Sequence, residues 1–159
     1  AVEKGAVGVL SRAGVNVPNG VCHLTAENDR LALAKLAGVI FTQPEYVVAV
    51  TGTDGKTSTA EFFRQMMELR GQQAASLGTL GLSSDSVTLE GVPALNTSPE
   101  PVLLHQTLEQ LQEQGCRYVS LEASSHGLDQ FRLDGVRLSA AAFTNIARDH
   151  LDYHKTDEA

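Results

Sequence analysis

The sequence predicts an α/β fold: a P-loop-containing, mostly parallel sheet flanked by helices, preceded by the end of a smaller α/β domain. Three observations point there. The apolar run Tyr46–Val50 passes directly into Thr51-Gly52-Thr53-Asp54-Gly55-Lys56-Thr57. Beyond it, short apolar runs alternate with amphipathic stretches of helical period as far as Phe143. Two of those runs end in polar residues, Leu121 in Glu122 and Phe143 in Thr144-Asn145, as strands of an open parallel sheet do at their functional edge.

In chain order, residues 6–10 read as a short buried strand and 11–20, with two Asn, two Gly and a Pro, as a loop. A helix follows, capped by Asn28 or Asp29, with Leu31, Leu33, Ala34 and Leu36 as its apolar face and Gly38 near its end. Pro44 marks a domain boundary, dividing the chain into 1–44 and 45–159. Strand 46–50, loop 51–56, helix 57–70, the stop at Gly71 and strand 74–77 make a βαβ unit. Ser98-Pro99-Glu100 opens a second helix that aligns Leu104, Leu108 and Leu111 and stops at Gly115; strand 118–121 comes next. Residues 138–143 give the last strand, and 82–92 suit a small hairpin.

Composition narrows the function. With 159 residues and 42% hydrophobic content the chain can build a packed core. Twelve basic against nineteen acidic residues give a net charge of −7 without a basic block, which argues against nucleic acid. Cys22 and Cys116 form no CxxC pair and fit a reduced, cytoplasmic protein. No apolar run approaches the ~18 residues of a membrane span, so a soluble protein, monomeric by default, is expected. Both ends look cut, the first lacking Met and the last following a charged cluster.

A strand that turns through Gly52 and Gly55 into a helix aims backbone N–H groups and the helix dipole at one point, where an anion belongs. Lys56 can reach terminal phosphates, and the Thr57 hydroxyl can ligate the magnesium that accompanies a nucleotide. An ordinary glycine turn with an exposed lysine is the plainer alternative. Asp54 is repelled by a polyphosphate unless it faces outward. Glu122, at a strand's carboxyl end, can hold Mg²⁺ or simply be solvated. Ser125-His126 lacks the surroundings of a nucleophile elbow, which disfavours hydrolase chemistry. Asp149-His150-Leu151-Asp152-Tyr153-His154 gathers oxygen and nitrogen donors suited to Mg²⁺ or Mn²⁺, or else forms a hydrogen-bonded loop that caps the sheet.

The segments TGTDGKTS (51–58), NTSPEPVLLH (96–105), EASSHGLDQFRL (122–133) and FTNIARDHLDYH (143–154), with NDRLALAKLAG (28–38) ahead of them, resemble the Mur ligase family and, within it, the UDP-N-acetylmuramoyl-tripeptide synthetases. EASSHGL and RDHLDYH are specific to that branch, and Val50 in place of a first glycine is normal for the family. Asp54 stands where Asn is usual. The resemblance implies an ATP-dependent amide ligase acting through an acyl phosphate on UDP-MurNAc-L-Ala-D-Glu and a diamino acid, with meso-diaminopimelate favoured over lysine.

By the same resemblance, Gly52, Thr53, Asp54, Gly55, Lys56, Thr57 and Ser58 would bind ATP. Lys56, Glu122 and His150 would be catalytic, and Thr57, Glu122 and His150 would hold Mg²⁺. Asn96, Thr97, Ser98, Ser124, Gln130 and Arg132 would line the UDP-muramoyl-dipeptide site, with Asn96, His126, Asp149 and Asp152 in supporting roles. Residues 1–44 would end the uridine-binding domain and 45–159 begin the ATP-binding domain. The family's carbamylated lysine would lie beyond Ala159, Lys155 not matching it, and its carboxy-terminal domain would follow. The 159 residues alone are therefore expected to show little or no ligase activity. Two rivals remain: a folylpolyglutamate synthetase-like ligase and a nucleotide-binding module without chemistry.

Overall fold

A short 3-10 turn, Val2–Lys4, leads into β1 (Gly8–Ser11), which pairs in parallel with β2 (Cys22–Thr25) as a two-stranded sheet. The computed structural model describes residues 2–89, 96–147 and 151–154, without the side chains of Leu151 and Asp152. Asp149, His150 and Lys155 lie outside the described residues, as does the end of the expected 82–92 hairpin. The first strand overlaps the expected 6–10 at residues 8–10 but is exposed to half-buried rather than buried, because β1 has only β2 beside it. Residues 22–25 carry no apolar run, so only the register with β1 makes them a strand.

Helix α1 (Asp29–Ile40) is capped by Asn28, whose Oδ1 accepts the Leu31 N–H at 3.0 Å. Its buried face is Ala34 and Ala37, while Leu33 and Leu36 stay exposed, which corrects the expected leucine face. Gly38 lies inside the helix and does not stop it. A Cβ there would run into the Gly135 backbone, so the small residues allow α1 to seat closely on that turn.

The second sheet holds β3 (Tyr46–Thr51), β4 (Ala74–Gly78), β5 (Gly81–Ser83), β6 (Tyr118–Glu122) and β7 (Ala140–Phe143) in the order β5-β4-β6-β3-β7. All are parallel except β5, which folds back on β4 through Leu77↔Leu82 and so replaces the hairpin expected over 82–92. The helices are α2 (Lys56–Leu69), α3 (Pro101–Glu113), α4 (Ser125–Asp129) and α5 (Leu151–His154).

Strand alternation gives the sheet two unlike faces. Val47, Ala49, Ala75, Leu77, Val119 and Leu121 point to one side, where Leu104, Leu108 and Leu111 of α3 complete the core. Each buried leucine contributes about 1.5–3 kcal/mol. Cys116 belongs to this core, and burial pushes its thiol up to about 11. The other side faces α2 and mixes small apolar residues with polar contacts: Ser120 Oγ donates to Ala60 O at 2.8 Å, and the Ser76 hydroxyl meets the Glu61 carboxylate. Arg64, its side chain 8% exposed, pairs there with Glu61 at 3.0 Å, with Glu68 and with Asp85 at 3.2 Å.

His105 is 0% exposed on α3, and neither ring nitrogen has a hydrogen-bond partner among the described residues. Burial lowers its pKa; the nearby Asp134 backbone opposes the shift and Arg137 adds to it.

Two outcomes follow from this packing. Arg64→Ala leaves two partly buried carboxylates, Glu61 and Glu68, without their cation and is expected to cost about 1–3 kcal/mol in urea unfolding. Because the folded-state pKa of His105 is depressed, its neutral form stabilises the fold fully above the unfolded value of about 6.5. That contribution is lost as pH falls from there through the folded pKa. Thermal unfolding across pH 5–8 should show this acid-side loss, and His105→Phe should flatten it.

Candidate active site

Because β3, β4, β6 and β7 run parallel, their carboxyl ends arrive at one edge, with β6 inserted between β3 and β4. That edge is where open α/β sheets bind ligands. β3 delivers the phosphate loop, β4 delivers Thr79, β6 delivers Glu122 and β7 delivers Thr144 and Asn145.

The loop departs through Gly52, at φ 130°, where a Cβ would collide with the Thr144 hydroxyl. Its outer side is clamped by the end of β7. Thr53 N–H donates to Asn145 O at 3.1 Å, Asp54 N–H donates to Asn145 Oδ1 at 3.0 Å, and Thr144 Oγ1 donates to Asp54 O at 2.6 Å. The Ala147 N–H adds a bond to Thr53 Oγ1 at 2.9 Å. The Asp54 side chain is exposed. Gly55, at φ 81°, caps α2 with no side chain, so the first-turn N–H groups of Lys56, Thr57 and Ser58 face the crevice as anion donors. Lys56 Nζ lies across the loop, donating to Gly52 O and Thr53 O at 2.7 Å each.

Glu122 is 3% exposed and on the α2 side of the sheet. Its Oε2 accepts from Thr57 Oγ1 at 2.9 Å and Thr79 Oγ1 at 3.1 Å, and its Oε1 accepts from Thr79 N–H at 2.9 Å. Gly78, the neighbour on β4, leaves the room: a Cβ there would overlap the carboxylate. The glutamate is thus buried beside the phosphate loop, not solvated.

The loops after β6 and before α3 are joined by Ser98, which is 1% exposed. Its hydroxyl donates to Glu122 O at 2.9 Å, accepts from Ser124 N–H at 2.9 Å, and lies 3.1 Å from Ser124 Oγ. Ser124 also caps α4 by accepting the Gly127 N–H at 3.1 Å. Phe131 ends α4 in the left-handed region at φ 57°, a conformation costing about 1–2 kcal/mol. This turn brings Arg132 back to Ser98 O (2.8 Å), to Gln130 Oε1 (2.7 Å) and to Glu100 (3.1 Å). Gln130 Oε1 also accepts from Arg30 at 3.3 Å, while its amide donates to Tyr153 Oη at 3.1 Å. His126 packs against Tyr153 with the rings tilted, their centroids 4.1 Å apart.

The structure therefore brings the loop residues 52–58, Glu122, Thr97, Ser98, Ser124, Gln130 and Arg132 to one edge. Asn96 is exposed beside Thr97, and the expected metal ligand His150 lies outside the described residues. Thr79, Thr144 and Asn145 went unassigned in the sequence, although Gly78-Thr79 does end an apolar run, as Glu122 does. Among the described residues no three His, Cys, Asp or Glu side chains gather into a metal site. Glu122 and Thr57 offer oxygen donors to a cation beside the loop.

Known proteins resemble this chain in sequence and fold. The chain is 47% identical over 159 residues to the UDP-N-acetylmuramoyl-L-alanyl-D-glutamate--2,6-diaminopimelate ligase of Bradyrhizobium diazoefficiens, covering 98% of the chain and 32% of the relative. It is 50% identical over 164 residues to the ligase of the same name from Mesorhizobium japonicum, covering 99% and 32%. The chain thus spans about a third of the length of these relatives. A solved structure of a ligase of that name superposes with a TM-score of 0.82 at 31% identity, over 99% of this chain and 31% of the other. Escherichia coli FolC in complex with DHPP and ADP shares the fold, with a TM-score of 0.56 at 18% identity over 78% of this chain and 34% of the other. Residues 50–159, which hold the phosphate loop and all the strand ends that surround it, match the Mur ligase middle domain, and the chain belongs to the Mur ligase family.

Proposed function

We propose that the protein is an ATP-dependent amide ligase of peptidoglycan synthesis, joining meso-diaminopimelate to the D-glutamate of UDP-MurNAc-L-Ala-D-Glu through an acyl phosphate. One observation carries this reading: Thr57 of the phosphate loop and the buried Glu122 carboxylate meet at 2.9 Å on the ligand edge of the sheet. The reaction named for its relatives supplies the substrates. The reading concerns the whole protein, with residues 1–44 ending its UDP-substrate domain and 45–159 belonging to its ATP-binding domain. No described helix is long and apolar enough to cross a membrane, which suits work in the cytoplasm.

In this reaction a carboxylate oxygen of D-glutamate attacks the γ-phosphorus of ATP, the bond to the bridging oxygen breaks, and ADP leaves. The neutral amine of the diamino acid then attacks the acyl carbon, loses a proton, and inorganic phosphate departs. The first-turn N–H groups of α2 would receive phosphate oxygens. Lys56 would exchange its two carbonyl partners for the phosphoryl group, offsetting the charge that builds during transfer.

Magnesium fits the donors present. It takes one or two protein oxygens and fills the remaining positions with phosphate and water, and the Glu122 carboxylate and Thr57 hydroxyl are hard oxygen donors beside the loop. When bound, the ion would neutralise phosphate charge during transfer. His150 is proposed as a further ligand. Thr97, Gln130 and Arg132 would face the muramoyl-dipeptide, with Asn96, Ser98 and Ser124 shaping the same wall.

Lys56→Ala is expected to lower kcat at least about 100-fold with the circular dichroism spectrum unchanged, since it removes the cation at the transferred group. The reading as a whole is tested by offering the full-length protein meso-diaminopimelate and lysine together with MgATP and the UDP-dipeptide. Diaminopimelate should enter the tripeptide; incorporation of lysine alone would overturn the amino-acid assignment, and no ATP-dependent tripeptide at all would overturn the ligase.

A further inference from the structure

We infer that Thr79 is a positioning residue that ties the muramoyl-dipeptide side of the site to its metal side. The inference rests on the reading above, in which Glu122 holds the metal and Thr97 faces the substrate. Thr79 follows Gly78 at the end of β4 and binds both oxygens of the Glu122 carboxylate: its N–H reaches Oε1 at 2.9 Å and its hydroxyl reaches Oε2 at 3.1 Å. A carboxylate gripped at both oxygens by one residue cannot rotate about its last bond without losing both partners. The same hydroxyl lies 3.1 Å from Thr97 Oγ1.

Proton counting gives this chain a direction. A hydroxyl has one proton, and an ionised carboxylate only accepts, so the proton of Thr79 goes to Glu122. Thr97 must then donate to Thr79, and the order is Thr97 to Thr79 to Glu122. Thr97 is left with acceptor lone pairs only, so the ligand group that meets its hydroxyl is an N–H or O–H donor. On the other side, Thr57 shares Oε2 with Thr79. A metal would be met by a lone pair of the Thr57 hydroxyl, which leaves its proton on Oε2, so Thr57 and Thr79 would hold the carboxylate together.

The sequence gives no hint of this link, because residues 79, 97 and 122 are far apart in the chain and meet only through the order of β4 and β6. Its effect is legible in metal binding apart from turnover. Mn²⁺ would be titrated into the full-length protein with a non-hydrolysable ATP analogue present, reading free Mn²⁺ by electron paramagnetic resonance. Thr79→Val, which keeps the backbone N–H and removes the hydroxyl, is expected to weaken Mn²⁺ binding about 10–100-fold, and Thr79→Ser to return it to within about 3-fold of the original. Thr97→Val should weaken it less, and adding it to Thr79→Val should change nothing more, since the chain is already cut.

Unaltered Mn²⁺ binding in Thr79→Val would overturn the inference, as would effects of the two valine variants that simply multiply. Should Thr79→Val fail to fold by circular dichroism, Thr97→Val alone decides: weakened Mn²⁺ binding supports the link and unchanged binding overturns it. Glu122→Gln separates the two levels of argument. If it leaves Mn²⁺ binding intact, the assignment of Glu122 as a metal-holding group fails; if it abolishes binding while Thr79→Val does nothing, only the role of Thr79 fails.

Discussion

A carboxylate removed from water has to be satisfied where it stands, and the arrangement around Glu122 meets that demand. Its oxygens draw hydrogen bonds from Thr57 at the start of α2 and from the backbone and hydroxyl of Thr79 after β4. Three separate pieces of chain are held in mutual position by one side chain. The sheet order follows the same need, since β6 between β3 and β4 is what lets Glu122 reach both neighbours. Gly78 is there because anything larger would occupy the carboxylate's space.

The unlike faces of the sheet divide the labour of folding and binding. Under α3 the contacts are aliphatic and non-directional, and they supply the bulk of the burial. Under α2 they are directional: Ser120 to the Ala60 carbonyl, Ser76 to Glu61, and Arg64 among its carboxylates. Such contacts fix the axial position of α2, whose N-terminus is the end proposed to receive phosphates. Orientation at the site is therefore inherited from a polar interface, and stability from an apolar one.

Much of the architecture was legible in the sequence. Parallel strands advertise themselves as apolar runs, so the buried β3, β4 and β6 and the exposed edge strand β7 were found close to their true limits, and the glycine loop and Glu122 stood at the ends of such runs. What escaped depends on neighbours distant in the chain. β2 is a strand only because β1 pairs with it, and the role of Gly38, admitting Gly135 beside α1, is visible only in three dimensions. Thr79 and Asn145 carry no chemical signature of their own. His105, polar at a leucine-like position on α3, was likewise silent, since nothing local says that both its nitrogens end up dry.

The clamp between β7 and the phosphate loop also explains the aspartate that stands where the family favours asparagine. Asn145 occupies the N–H groups of Thr53 and Asp54, so the outer half of the loop is already committed and the proposed phosphates would meet only the first turn of α2. Asp54 stands on the committed half with its side chain in water, where its charge is screened from the phosphates. For an experimenter, that makes position 54 a natural attachment point for a fluorophore: fixed by its backbone to the end of β7 and exposed at its tip beside the phosphate loop.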